Sequence, residues 1–138
     1  MKRGLEQEDY GALGRSVPCT ESYDPSILTA IPRARGRTML GLAVEHPIAL
    51  PFMGCDVWTL YEASWLGSTG KPRRLVLEMT VPATSTNVVE SKSLKLYLNS
   101  LNFRRFSSDA EALSTIRDDV GRTVGGDIIS DRAEGLCV

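Results

Sequence analysis

The sequence predicts an α+β fold made of a β-hairpin, two helices and one short final strand. Residues 56–66, DVWTLYEASWL, are rich in aromatic and β-branched side chains, which is typical of a strand on a half-buried surface. Residues 75–81, LVLEMTV, alternate in polarity, as a second strand does. Beyond Pro82 the apolar spacing becomes helical. The apolar face of the second strand holds Leu75, Leu77, Met79 and Val81.

The two strands are predicted to form a hairpin, because GSTGKP at residues 67–72 supplies the glycines and the proline of a turn. Pro82 ends the second strand, since proline cannot donate to a central ladder. A first helix follows, with Ser91 or Ser93 as its N-cap, although its alternating leucines also fit the period of a strand. The helical face, spaced i, i+3, i+4 and i+7, holds Leu94, Tyr97, Leu98 and Leu101.

A second helix is predicted from SDAE at residues 108–111, which is a capping box, with Gly121 placed to close the helix. One short strand around residues 127–130 follows. The predicted order is therefore β-β-α-α-β, which leaves one sheet edge and one sheet face uncovered. We expect a partner to cover them, either a further module or another subunit. The apolar face of the second helix holds Leu113, Ile116 and Val120.

The chain is predicted to divide into an irregular N-terminal arm, residues 1–54, and a folded module, residues 55–138. Prolines interrupt the arm and limit regular structure to short stretches. These prolines are Pro18, Pro25, Pro32, Pro47 and Pro51.

The composition bounds the function. Of 138 residues, 16 are basic and 17 acidic, and a net charge of -1 gives no overall field that would attract a nucleic acid or an anionic membrane. The sequence has no recognisable signal peptide or membrane span, so we expect a cytoplasmic protein without nucleic-acid or membrane partners. The three cysteines, Cys19, Cys55 and Cys137, together with His46, lack the spacing of a zinc site or a disulfide framework.

The polar chemistry is concentrated at residues 90–95, ESKSLK. If a helix begins near Ser91, its first N–H groups, together with Lys92 and the nearby hydroxyls, suit an anion such as a phosphate. Glu90 suits the opposite ligand, because an ionised carboxylate accepts hydrogen bonds from two adjacent N–H donors, such as those of a guanine-like base. Glu90 and Lys92 thus fit a purine-type base and a phosphate-bearing cofactor, or they are only a solvated helix start.

Other candidate sites are weaker. GSTGKP lacks the glycine spacing of a phosphate-binding loop, and Pro72 stands where that loop has Ser or Thr. Cys55 and Asp56 offer a thiol beside an acid, but no neighbouring base or cation is evident. His46 has no nearby Ser, Cys or Asp that would complete a triad. We therefore assign no catalytic residue and no metal ligand.

Residues 90–102, ESKSLKLYLNSLN, closely resemble the signature of the 7-cyano-7-deazaguanine reductases, the NADPH-dependent nitrile reductases of queuosine biosynthesis. Three further segments resemble the N-terminal half of the two-module members: YDPSILTAIPR at residues 23–33, LPFMGCDVWTLYEASWL at 50–66 and NFRRF at 102–106. The resemblance extends over residues 23–121. The tail from Thr123 is expected to lie outside it, as in a chain that ends early.

The resemblance implies a tunnelling-fold unit whose fourth strand is missing, and assembly of such units into a homo-oligomeric barrel. It implies that Val89, Glu90 and Ser91 contact the deazaguanine base, and that Ser91 and Lys92 contact NADPH. The nucleophilic cysteine and the proton-donating aspartate of the family belong to a C-terminal module that this sequence does not resemble.

The implied function is therefore half of a site, which needs that C-terminal module or other subunits to reduce 7-cyano-7-deazaguanine to 7-aminomethyl-7-deazaguanine for tRNA modification. The alternatives are a non-catalytic purine-binding or assembly module, and a truncated remnant of the enzyme.

Overall fold

A computed structural model of the chain describes residues 14–18, 21–42 and 50–132. The α+β class is confirmed. In chain order the elements are a 3-10 turn at Pro25–Ile27, strand β1 at Ala30–Pro32, helix α1 at Arg33–Met39, strand β2 at Cys55–Leu66, strand β3 at Pro72–Pro82, strand β4 at Asn87–Val89, helix α2 at Ser91–Ser100, helix α3 at Asp109–Val124 and strand β5 at Ile129–Arg132.

The main sheet is antiparallel and has the strand order β2-β3-β5. Its first two strands form the predicted hairpin, whose turn uses Gly70 at a φ of 83° that glycine adopts readily. β3 ends at Pro82, as predicted, and β5 lies about where the last strand was expected. β1 and β4 pair separately as a small second sheet.

One core lies between the main sheet and the two longer helices. The four apolar residues predicted for one face of β3 are all buried. Leu94, Tyr97 and Leu101 are buried and Leu98 is half-buried, which confirms the helical interpretation of this segment. On α3, Ile116 and Val120 are buried and Leu113 packs against the core from its edge. α2 packs on β2, and α3 packs on β4 and β5.

Two predicted helix ends are wrong. The N-cap of α2 is Glu90, not Ser91 or Ser93, because the Glu90 carboxylate accepts two main-chain N–H groups of the first turn. Helix α3 does not close at Gly121 but runs to the buried Val124. It ends at Gly125, whose φ of 67° is the left-handed conformation that favours glycine at this position.

The proline-rich region contains more regular structure than the sequence indicated. β1, α1 and the 3-10 turn all lie before residue 54, and β4 lies between the hairpin and α2. Cys19, His46 and Cys137 lie outside the described residues. None of the helices in the described part of the chain is long and apolar enough to cross a membrane.

Candidate functional site

The polar cluster begins where β4 passes into α2. Val89 is the last residue of β4 and pairs with Ala30 of β1, so the start of α2 is fixed against the N-terminal region. The side chain of Glu90 follows and is only 1% exposed. Its Oε1 accepts the main-chain N–H of Lys92 at 2.7 Å, and its Oε2 accepts that of Ser93 at 2.8 Å. The orientation of this carboxylate is therefore fixed by its own helix.

This arrangement limits which groups remain available at the predicted anion site. Two of the first-turn amides, those of Lys92 and Ser93, are hydrogen-bonded to Glu90, whose negative charge also lies at the electropositive end of the helix. A phosphate at this place would have to displace the carboxylate or bind to side chains alone. Each oxygen of Glu90 has a second lone pair, so the carboxylate keeps the capacity to accept from a pair of ligand N–H groups.

The other predicted contact residues lie around this carboxylate with different surroundings. The side chain of Val89 is buried in the core, so only its main chain is available to a ligand. Ser91 is exposed, and Lys92 is half-buried with its ammonium donating to the main-chain oxygen of Arg15. Residues 89–92 therefore lie at one junction, but the carboxylate of Glu90, the hydroxyl of Ser91 and the ammonium of Lys92 have different surroundings.

A cleft of about 300 Å³ lies beside this junction, between β2 and α2. Its apolar lining includes Trp58, Leu94 and Leu98, and Tyr61 adds an aromatic ring. Ser91 and Lys95 provide polar groups at the cleft. The volume lies at the lower limit for ligand pockets, so the cleft suits one ring system with an attached polar group.

The N-terminal region crosses the first turn of α2. The main-chain N–H of Glu90 donates to the carbonyl of Thr29 at 2.9 Å. The N–H of Thr29 in turn donates to the Oγ of Ser93 at 3.0 Å, and that hydroxyl donates to the carbonyl of Glu90 at 2.8 Å. Thr29 is thus part of the same hydrogen-bonded unit as the Glu90 cap, although it lies far from it in sequence.

A buried carboxylate on α3 organises a second polar cluster. Asp119 is 3% exposed, and its Oδ2 accepts the hydroxyls of Tyr23 at 2.6 Å and Tyr97 at 2.7 Å. Its Oδ1 accepts from Arg122, and the guanidinium of Arg104 lies 3.8 Å from the ring centre of Tyr23. Burial, and then the hydrogen bond to Asp119, raise the pKa of both phenols. Both tyrosines are therefore held as proton donors.

This cluster was not predicted from the sequence. Tyr97 was assigned to the apolar face of α2, and Asp119 was not singled out because one acidic residue on a helix is ordinary. The only available signal was the position of Asp119 beside Val120 and three residues after Ile116, which places a carboxylate near the buried face of the helix.

Comparison with known proteins identifies the family. A model of the family described as "Nitrile reductase, 7-cyano-7-deazaguanine-reductase N-term" matches residues 19–131. The chain belongs to this family. The match includes the junction at residues 89–92, and it reaches ten residues beyond the limit of 121 that the sequence motifs suggested, into β5. The expectation that the tail lies outside the family from Thr123 is therefore wrong up to residue 131.

Curated members of the nitrile reductase family share close to half of their matched residues with this chain. Proteins named NADPH-dependent 7-cyano-7-deazaguanine reductase from Desulfotalea psychrophila, Teredinibacter turnerae and Polaromonas sp. are 49%, 46% and 42% identical to it. The matches cover 84%, 84% and 90% of this chain but only 41%, 40% and 44% of those proteins. The chain thus spans about two fifths of the length of the reductases it matches.

In this member of the nitrile reductase family, Cys55 does not have the surroundings of a nucleophile. Its thiol is exposed at the start of β2. The carboxylate of the adjacent Asp56 is bound by the guanidinium of Arg33 and so is not a free acid or base. Across residues 14–18, 21–42 and 50–132, no three His, Cys, Asp or Glu side chains cluster closely enough to hold a metal ion.

Proposed function

We propose that this chain is the N-terminal part of an NADPH-dependent nitrile reductase that converts 7-cyano-7-deazaguanine to 7-aminomethyl-7-deazaguanine in queuosine biosynthesis. The overall reaction adds four electrons and four protons to a carbon–nitrogen triple bond, which corresponds to two NADPH and two further protons. In this proposal the chain contributes contacts to the base and to the cofactor. The covalent chemistry belongs to a C-terminal module.

The observation that carries the proposal is the fixed carboxylate of Glu90. Two main-chain N–H groups orient both of its oxygens, and each oxygen retains a lone pair for a ligand. The ring N–H and the exocyclic amine of a deazaguanine form a pair of adjacent donors that matches such a carboxylate. Because Glu90 is buried, the base reaches it only after the groups that cover it are displaced.

The cofactor contacts are assigned to Ser91 and Lys92. NADPH supplies the hydride when it is bound. The hydroxyl of Ser91 lines the cleft beside α2, whose volume accommodates one ring of the cofactor and not a whole dinucleotide. Lys92 has two further N–H donors besides the one directed at Arg15, and these suit a phosphate oxygen as a point-charge contact.

The proposal also includes an assembly. The sheet β2-β3-β5 with α2 and α3 on one face is compatible with a tunnelling-fold unit, and we propose that such units join through their sheet edges into a homo-oligomer. In the described residues β3 is the one strand that pairs with β2, and the other edge of β2 is bridged to Arg105 at Leu66 alone, so the rest of that edge is open to a partner strand. We keep the division into an arm, residues 1–54, and a module, residues 55–138, as part of this proposal.

The test is calorimetric titration of the purified chain with 7-cyano-7-deazaguanine, together with an assay of NADPH oxidation. We expect binding without turnover. Replacing Glu90 by Ala should weaken binding at least about tenfold, since a charge-assisted hydrogen-bond pair is lost. The matched control is Glu111→Ala, which removes the same side chain from the start of the other long helix. Equal binding by the wild type and both variants would contradict the assigned role of Glu90.

A non-catalytic assembly module is the second candidate, and the exposed apolar side chains of β2 favour it. Val57 is 59% exposed and Tyr61 is 66% exposed, in the same strand whose edge is open. This candidate predicts stable oligomers that bind neither the nitrile nor NADPH. Light scattering of the purified chain, combined with the titration above, separates the two functions.

A further inference from the structure

Residues 23–33, which we call the strap, are attached to the rest of the protein at both ends. At the first end, the hydroxyl of Tyr23 donates to the buried carboxylate of Asp119 at 2.6 Å. At the other end, the Nε of Arg33 donates to the Oγ of Ser85 at 3.0 Å, and its Nη2 binds the carboxylate of Asp56. The strap therefore joins α3 to the hairpin by charge-assisted hydrogen bonds, which are stronger than neutral ones.

Between these two attachments the strap contacts the first turn of α2. Its Thr29 is hydrogen-bonded through both main-chain groups, to the N–H of Glu90 and to the hydroxyl of Ser93. Ala30 then pairs with Val89, the residue before Glu90. The strap thus borders the Glu90 cap with main-chain bonds on two sides, and a shift of the strap would move the residues that orient the carboxylate.

The other attachments of the strap are mostly main-chain bonds: the N–H of Asp24 donates to the Oγ of Ser100 at 3.3 Å, β1 pairs with β4, and the N–H of Arg33 donates to the carbonyl of Thr86 at 3.1 Å. No residue of the strap is fully buried, and only Tyr23 and Leu28 pack against the core. Main-chain bonds of a partly exposed segment open readily unless tertiary contacts hold its ends. The Tyr23 ring is also covered by Arg104 and lies edge-on to Tyr97, at a centroid distance of 6.3 Å, so its hydroxyl is directed to one acceptor.

We propose that Tyr23 and Asp119 are positioning residues for the Glu90 site. Their hydrogen bond holds the strap, and the strap holds the first turn of α2, so that the carboxylate of Glu90 keeps one orientation. The assignment of Glu90 to a base rests on the proposed function. The mechanical link from Tyr23 to the amides of residues 90–93 does not depend on it.

The test compares two variants that each remove one hydroxyl from the same carboxylate oxygen. Tyr23→Phe removes the hydrogen bond that ties the start of the strap to α3, whereas Tyr97→Phe removes a bond between α2 and α3 and leaves that tie in place. Amide hydrogen exchange is followed in the full chain, and the global stability of each variant is measured by urea unfolding. We expect the amides of Thr29, Glu90, Lys92 and Ser93 to exchange at least about tenfold faster in Tyr23→Phe, because a hydrogen bond to a charged group has been lost.

In Tyr97→Phe the same four amides should keep wild-type protection once the change in global stability is subtracted. Equal acceleration in both variants, or acceleration confined to residues 21–28 in Tyr23→Phe, would overturn the proposal. The ligand gives a separate readout. If the wild type binds 7-cyano-7-deazaguanine, Tyr23→Phe should bind it several-fold more weakly than Tyr97→Phe does. If the wild type does not bind, the proposed function fails while the exchange result still decides the mechanical link.

Discussion

The first-turn main-chain N–H groups of the two long helices have different hydrogen-bond acceptors. At α3, Ser108 accepts the N–H of Glu111 at 3.2 Å, and the carboxylate of Glu111 accepts the N–H of Ser107 at 2.8 Å. All of these groups are exposed and lie within five residues of one another. At α2, a buried Glu90 carries the cap, and its surroundings include Thr29 from a distant part of the chain.

The comparison shows what distinguishes a structural helix start from a candidate site. The exposed Ser108 accepts a first-turn amide of α3 with little desolvation. A buried carboxylate accepts from such amides at a higher cost in free energy, because its charge has to be removed from water. The use of Glu90 where a serine would suffice is consistent with a second role for its oxygens.

The largest predicted effect is that of Glu90→Ala on stability. The buried N–H of Ser93 and the partly buried N–H of Lys92 would lose their acceptors, so we expect the free energy of unfolding to fall by about 2–4 kcal/mol. Urea unfolding, followed by circular dichroism, measures the change. A loss below about 1 kcal/mol would mean that water or Ser93 replaces the carboxylate, and the contrast with α3 would then disappear.

The second prediction concerns alkaline pH and the tyrosines that bind Asp119. Because the pKa values of Tyr23 and Tyr97 are raised in the folded protein, the stability they contribute is complete below the ordinary tyrosine pKa of 10.0 and is lost as the pH rises above it. Unfolding experiments between neutral and strongly alkaline pH should show this decline. The double variant Tyr23→Phe with Tyr97→Phe should be less stable at neutral pH and show a weaker decline.

The third prediction is that Ser108→Ala has a smaller effect than Glu90→Ala. Loss of an exposed serine cap costs about 0.5–1 kcal/mol, because water replaces the hydroxyl as the acceptor. Thermal unfolding of the two variants side by side provides the measurement. If Ser108→Ala destabilises the protein as much as Glu90→Ala, the burial of Glu90 does not make its cap contribute more to stability than the exposed cap of α3.

The smallest predicted effect is at acidic pH. Hydrogen bonds from the hydroxyl and the N–H of Ser107 lower the pKa of Glu111 below its ordinary value of 4.5. The stabilisation is therefore present above that value and is lost as the pH falls through the lowered pKa. Proton titration of Glu111 by NMR checks the direction. A titration at or above the ordinary value would show that the capping box does not form in solution.

The sequence predicted α3 better than α2 for a physical reason. The capping box of residues 108–111 is local, so four consecutive residues contain all the information needed to recognise it. The true cap of α2 was missed because glutamate is an uncommon N-cap, and Ser91 and Ser93 were the more usual candidates. The end of α3 was placed at the first glycine, Gly121, because only packing shows that the helix continues to the buried Val124.

The sequence by itself determined the hairpin, the two helices, the shared faces of the core and the family resemblance, because each depends on periodic or contiguous residues. The resemblance also assigned the ligand contacts to residues 89–92. Only the tertiary structure decided that Glu90 is buried and oriented by its own helix, that Thr29 is hydrogen-bonded to it, and that Tyr23 is hydrogen-bonded to Asp119. Contacts between residues 60 to 100 positions apart leave no local pattern, so no reading of neighbouring residues reveals them.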